Sequence, residues 1–297
     1  MKRIGVILSI LSLLFGLIGG CKPSFQPGAY TDDLNRPVSI DKVPERIASY
    51  GPSITEILYA LGLGEKVVGV DSLSDYPEAA KSKPKLGDAF SPSMEKLVEL
   101  KPDLVLTLKQ EQFNTNLNNL GIKYLVIDPK DIDGVYRDIE LIGKITGTEG
   151  KAGKLVDDMK ATAASVQSKA AKAPKVKAIF LIDTTDLNSP WTAGPGSFID
   201  SLITMAGGEN IAAKAPAPWV QFSIEQIISA DPDVVILPDK YVVSPQELKD
   251  HPAWKKTGAV KNNRIVIING DLISRPGPRI VQGLEEVAKI LHPELYK

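Results

Sequence analysis

Apolar positions along this chain follow two spacings that alternate. Short runs rich in Val, Ile and Leu, such as Val67–Val70, Leu104–Leu106 and Val234–Leu237, predict strands buried on both faces, as parallel sheets require. Between them, apolar residues three and four apart, among them Ile54, Ile57, Leu58 and Leu61, predict helices with one buried face. One pattern occurs twice and aligns without a gap. Residues 93–106 run from Ser93 through Glu95 to Pro102-Asp103 and Leu-Val-Leu, and residues 223–236 run from Ser223 through Glu225 to Pro232-Asp233 and Val-Val-Ile. Each copy predicts a short helix with a serine N-cap and an acid in its first turn, ended by Pro-Asp before a buried strand. Two lobes on one plan are expected, with Glu95 and Glu225 at matching outward helix starts.

A second, weaker echo supports the duplication. Strand Arg46–Tyr50, turn Gly51-Pro52-Ser53 and helix Ile54–Leu61 before Gly62 are matched by strand Val176–Ile182, Gly194-Pro195-Gly196-Ser197 and helix Phe198–Ala206 before Gly207-Gly208. Elsewhere the pattern predicts helices at 110–120 and 132–146, a polar helix at 244–257, strands at 124–127 and 264–268, and a final amphipathic helix Ile280–Leu291 capped by Arg275-Pro276-Gly277-Pro278-Arg279. Residues 150–172 are rich in Ala and Lys and read as one long connecting helix. The expected architecture is α/β: two Rossmann-like lobes with mostly parallel sheets, 46–149 and 174–297, joined by an interlobe helix at 150–173. A tether and small hairpin occupy 21–45. Ligands of such sheets bind outside the C-terminal strand ends, so the lobes should face each other across a cleft.

Composition removes several functions. A net charge of −1 and a pI near 6.2 leave no nucleic-acid footprint. One cysteine, Cys21, and two histidines, His251 and His292, give neither a disulfide framework nor an ordinary His/Cys metal site, and neither histidine sits in a recognisable catalytic setting. Gly194-Pro195-Gly196 is too short for a phosphate loop and lacks its lysine. No reaction, resident cofactor or protein-bound metal is expected. Both histidines read as surface or end-cap residues, and Trp254 as packing under the last helix.

The N-terminus carries Lys2 and Arg3, an apolar run from Ile4 to Ile18, and Gly19-Gly20 before Cys21, the layout of a secretory signal over residues 1–20. Leu17-Ile18-Gly19-Gly20-Cys21 resembles a bacterial lipobox, which implies lipidation of Cys21 and a membrane-tethered, extracytoplasmic protein.

From about Tyr30 onward the chain resembles the single-helix class of ABC-importer substrate-binding proteins, class III of the periplasmic binding proteins, whose members carry cobalamin, haem or ferric siderophores. The matching pieces are Thr31–Val38, Pro44-Glu-Arg-Ile47, Thr55–Gly62, Ser74-Asp-Tyr-Pro77, both glutamate repeats, Pro190–Gly194, Ala206–Asn210 and Arg275–Arg279. Ser74–Pro77, Trp191–Gly194 and Pro218-Trp219 are most similar to the cobalamin-binding branch. The resemblance implies a monomer that docks on the permease's transmembrane subunits through Glu95 and Glu225. It also implies a corrinoid held by Tyr76, Phe90, Trp191, Trp219, Asp271 and Arg275. Two positions that are tryptophan in the cobalamin-binding relative are Ala89 and Leu108 here, with Phe90 and Phe113 nearby. Ferric siderophores, being anionic, would want several cations at the cleft, where Arg275 is the clearest and Arg279 and Lys109 less so. Haem would want an axial ligand, for which Tyr76 or Tyr241 is available.

Overall fold

A computed structural model describes residues 25–88, 90–240 and 242–297. The signal segment, Cys21, Ala89 and Tyr241 lie outside the described residues. The chain opens with an antiparallel hairpin, β1 (Gly28–Thr31) and β2 (Pro37–Ile40). Its turn is fastened to the first lobe by Asp32, which accepts from the Val126 amide at 3.1 Å and from Arg36, whose guanidinium stacks over Tyr124.

The first lobe runs β3 (Ile47–Tyr50), α1 (Pro52–Ala60), β4 (Val67–Val70), α2 (Met94–Glu99), β5 (Leu104–Thr107), α3 (Glu111–Asn119), β6 (Tyr124–Val126) and α4 (Ile132–Thr146). Its four strands are all parallel, in the order β4-β3-β5-β6. Every residue of β3 and β5 is buried, the polar Ser49 and Thr107 included, as expected of central strands covered on both faces. Helix α5 (Glu149–Ala170) then leads to the second lobe. Its buried positions, Ala152, Val156, Met159, Ala163, Val166 and Ala170, alternate four and three apart, one narrow stripe along a helix about 33 Å long at 1.5 Å per residue. That stripe packs on α4 of one lobe and on the C-terminal helix of the other.

The second lobe runs β7 (Val176–Asp183), β8 (Trp191–Ala193), α6 (Phe198–Met205), β9 (Gly208–Asn210), β10 (Trp219–Gln221), α7 (Ile224–Ala230), β11 (Val234–Pro238), α8 (Pro245–Asp250), α9 (Gly258–Lys261), β12 (Ile265–Ile268), α10 (Gly270–Ser274) and α11 (Ile280–Leu291). Strands β9-β7-β11-β12 are parallel and repeat the strand order of the first lobe. What differs is β8 and β10, which extend the sheet antiparallel from the upper half of β7. Residues alternate across β7. Ala178 and Phe180 join the core shared with α11, while Ile179 and Leu181 face a second core around Trp254.

The duplicated unit is anchored on the same plan in both lobes. Asp103 accepts from the amides of Glu45 and Arg46, and Asp233 accepts from the amide of Lys177, each tying its Pro-Asp corner to the residue before or at the start of the first strand of its lobe. Arg46 and Lys177 return bonds to carbonyls at the ends of α2 and α7. The two caps are not alike. Ser223 forms a capping box with Gln226, whereas Ser93 makes no side-chain cap bond, so the expected serine cap exists only in the second copy. The polar helix expected at 244–257 is broken, because Pro252 follows His251 and the chain re-starts as a 3-10 turn and then α9. Trp254 is fully buried and donates to the Leu187 carbonyl at 2.9 Å, but it packs on the sheet face opposite α11 rather than beneath that helix.

Candidate functional site

Loops at the C-terminal strand ends of the two lobes face each other. Pro52 and Ser53 after β3, Ser72, Leu73 and Asp75 after β4, and Leu108 after β5 meet Lys240 after β11 and Asp271, Ser274 and Arg275 after β12 around a cavity of about 480 Å³. The first-lobe side is organised by buried Asp71, whose carboxylate accepts from the Gly51 amide, the Leu73 amide and the Ser74 hydroxyl. Gly51 has φ +154°, and a Cβ there would stand 3.2 Å from Leu108, so this crossing of strand end and cleft wall needs glycine.

Charges in the cleft are paired across the lobes. Arg275, with 11% of its side chain exposed, bonds Asp75 of the first lobe at 2.7 Å, lies 3.1 Å from Asp271 of its own lobe and 3.6 Å from Glu56. Lys240 approaches Asp271 at 3.4 Å. Across the Pro276-Gly277-Pro278 link to α11, Arg279 grips the buried Glu56 with two bonds of 2.6 and 2.8 Å and stacks 3.8 Å above the Tyr76 ring. Burial would raise the Asp75 carboxyl, but the hydrogen bond and charge of Arg275 outweigh it and hold that carboxyl below its ordinary range. The Glu56 hydrogen bond raises Arg279 against the opposing effect of burial, keeping the guanidinium charged. At Gly277 the chain passes so near Ser53 that a Cβ would lie 3.1 Å from its carbonyl oxygen, a close interlobe contact between the two arginines.

An aromatic wall continues this cleft on the second lobe. Trp191 and Trp219 are half exposed and sit on neighbouring antiparallel strands, where Trp191 opposes Gln221 and Trp219 opposes Ala193. They are therefore diagonal neighbours on one face, within reach of each other. Trp219 also borders a hollow of about 220 Å³ floored by Phe180, Ile182, Ile199 and Pro238, which shares Lys240, Asp271 and Ser274 with the main cavity. On its other side, with Trp191 and Phe222, it lines a further hollow of about 430 Å³.

The expected ligand residues are thus only partly gathered. Asp271 and Arg275 line the main cavity, Trp219 borders the hollow that shares Asp271 with it, and Trp191 lines the hollow on the far side of Trp219. Tyr76 lies under Arg279 in a separate groove with Glu56, Tyr59 and Leu155 of α5. Phe90 is 83% exposed on a turn closed by Asp88. Phe113 belongs to the first-lobe core, its ring 4.3 Å from Tyr50. Both histidines are helix end caps, His251 of α8 and His292 of α11, His292 being buried beside Gly207, and neither lines these hollows. Glu95 and Glu225 are exposed in the first turns of α2 and α7, and among the described residues neither has an ion-pair partner within 4 Å. The sequence reading missed Glu56, Asp75 and Lys240. Glu56 left a trace as an acid flanked by Thr55, Ile54, Ile57 and Leu58 in a largely apolar helix, and Asp75 fell within the Ser74–Pro77 match without being singled out. Among the described residues no three His, Cys, Asp or Glu side chains converge as metal ligands, and no helix is long and apolar enough to cross a membrane.

Comparison with known proteins agrees with this geometry. The model of the periplasmic binding protein family matches residues 47–272. The ABC transporter substrate-binding lipoprotein YvrC of Bacillus subtilis (strain 168) is 34% identical over 316 residues, covering 100% of this chain and 99% of that protein. Among solved structures, the periplasmic haem-binding protein RhuT from Roseiflexus sp. RS-1 is 29% identical with a TM-score of 0.76, covering 84% of this chain and 99% of its own. The periplasmic vitamin B12-binding protein BtuF of Vibrio cholerae is 26% identical with a TM-score of 0.74, covering 86% and 98%. The chain belongs to the periplasmic binding protein family, and it is a substrate-binding protein of an ABC importer rather than an enzyme.

Proposed function

We propose that this protein is an extracytoplasmic receptor, anchored to the membrane through lipidated Cys21, that captures cobalamin or a related corrinoid between its lobes and delivers it to the importer's permease. The observation that carries the ligand is the pair Trp191 and Trp219, diagonal neighbours on one sheet face, with Trp219 bordering an apolar hollow beside a cluster of balanced charge. A corrin is a broad, largely apolar disc with amide-bearing edges, and it needs aromatic faces, apolar walls and a few polar anchors. Asp271 and Arg275 are anchors of that kind, and likeness to a vitamin B12-binding protein supports the same choice.

Delivery rests on Glu95 and Glu225. Their exposure at equivalent helix starts suits bidentate pairing with permease arginines while leaving each carboxylate in water before docking. Haem is the second reading, favoured by likeness to a haem-binding structure. Absorbance titration of the purified full-length chain in detergent with cyanocobalamin and haem in parallel decides between them. Saturable one-to-one binding of cyanocobalamin, with haem bound at least about tenfold more weakly (about 1.4 kcal/mol), is the expected result. Tighter binding of haem would replace the corrinoid reading.

A further inference from the structure

We infer that Asp75 is a specificity-determining residue that keeps anionic chelates out of the cleft by occupying Arg275. The inference rests on the reading of the cleft as a ligand site but not on the ligand being a corrinoid. Three facts carry it. First, Arg275 is the most enclosed cation of the main cavity, and its guanidinium is already engaged by Asp75 at 2.7 Å and Asp271 at 3.1 Å. Second, the other cation lining that cavity, Lys240, faces the same Asp271, so two positive groups meet two carboxylates and the wall has no net charge. Third, Arg279 is held by both oxygens of Glu56, in a pair where 2% of the acid and 14% of the arginine side chain is exposed.

An anionic ligand reaching Arg275 must therefore displace a carboxylate that already satisfies it. The ligand gains a charge-assisted bond only by breaking an equivalent one and leaving Asp75 facing its own negative charge. A ligand without negative charge meets no such competition. Asp75 is the member of the cluster able to act as this filter, because it is 49% exposed on a first-lobe loop while Glu56 is locked in the helix below. Its lowered pKa keeps it ionised at neutral pH.

The test compares two ferric chelates that share a metal and differ in charge, an anionic tris-catecholate and a tris-hydroxamate without negative charge, with haem as a second anionic probe. Each is titrated by fluorescence quenching onto the full-length protein, Asp75→Asn, Asp271→Asn, and Asp75→Asn with Arg275→Gln, all checked for unchanged melting. Asp75→Asn is expected to tighten the tris-catecholate or haem by about tenfold or more, the scale of one charge-assisted hydrogen bond. Asp271→Asn should move the same way, and adding Arg275→Gln should cancel the gain. If neither anionic probe gains affinity in Asp75→Asn, the inference is overturned, whatever Asp271→Asn does. Cyanocobalamin titrated onto the unmodified protein in the same series reports on the corrinoid reading separately, so either idea can fail alone.

Discussion

The two lobes share a frame and differ in what they hang on it. Both wind four parallel strands in the same order, and both lock a Pro-Asp corner onto the start of the lobe's first strand. Both present a glutamate in the first turn of the helix before that corner. The second lobe alone adds the antiparallel strands β8 and β10, and these carry Trp191 and Trp219. Where β10 leads into α7, the first lobe has a single antiparallel bridge, Gly87 to Pro92, with exposed Phe90 between its ends. Under the proposed function, symmetry serves docking on a membrane partner, and asymmetry serves the ligand. A receptor that must meet the same permease with any cargo can keep the first while the second changes.

The largest expected effect probes the seam between the lobes. Glu56→Gln leaves Arg279 with an incomplete partner in a buried site, and loss of a buried ion pair costs about 3–5 kcal/mol. Chemical denaturation should show that loss, and a change below about 1 kcal/mol would mean the seam is solvated.

Next is a contrast confined to the first lobe. Asp138 is buried in α4, and burial, reinforced by the neighbouring carboxylate of Asp33, raises its pKa to about 8. An acid whose folded pKa lies above its unfolded value of 3.8 favours the native state most below that value, and the contribution fades as pH rises to about 8. Stability should fall over this interval by an amount on the order of a few kcal/mol, and Asp138→Asn should flatten the slope. Melting curves from pH 4 to 8 check this, with an unchanged slope in Asp138→Asn as the contrary result.

The corner aspartates give a direct lobe-to-lobe comparison. Asp103 accepts from two backbone amides and Asp233 from one, so Asp103→Ala should cost more than Asp233→Ala, within about 1–3 kcal/mol for each. Equal losses would show that the second amide contributes nothing. Smallest is the cap contrast: Ser223→Ala should cost about 1 kcal/mol and Ser93→Ala close to nothing, since only Ser223 makes the bond.

The frame was legible because its signals are local. Ser-x-Glu and Pro-Asp at fixed spacing, unbroken Val and Ile runs, and the stripe of α5 are each set by near neighbours in sequence. The site was legible only in part. Arg279 and Glu56 are far apart in the chain, and neither carries a mark of the other. Their pairing is why Tyr76, expected in the cleft, lies under a guanidinium instead. Strands β8 and β10 escaped detection because each is three residues long and bounded by proline or glycine, too short for an alternation to register. Their tryptophans were found through resemblance to a family, whereas the partners of Arg275 became visible only when both lobes were folded.

The account turns on ligand and permease contacts being separable, and the most direct measurement is the cyanocobalamin dissociation constant of Trp219→Ala beside that of Glu95→Lys with Glu225→Lys. Loss of a central aromatic anchor should weaken binding by about tenfold or more, while the paired glutamate replacement should leave the constant within about twofold and abolish only uptake. Weakened binding in the glutamate variant, or an unchanged constant in Trp219→Ala, would contradict the separation of ligand contacts from docking contacts.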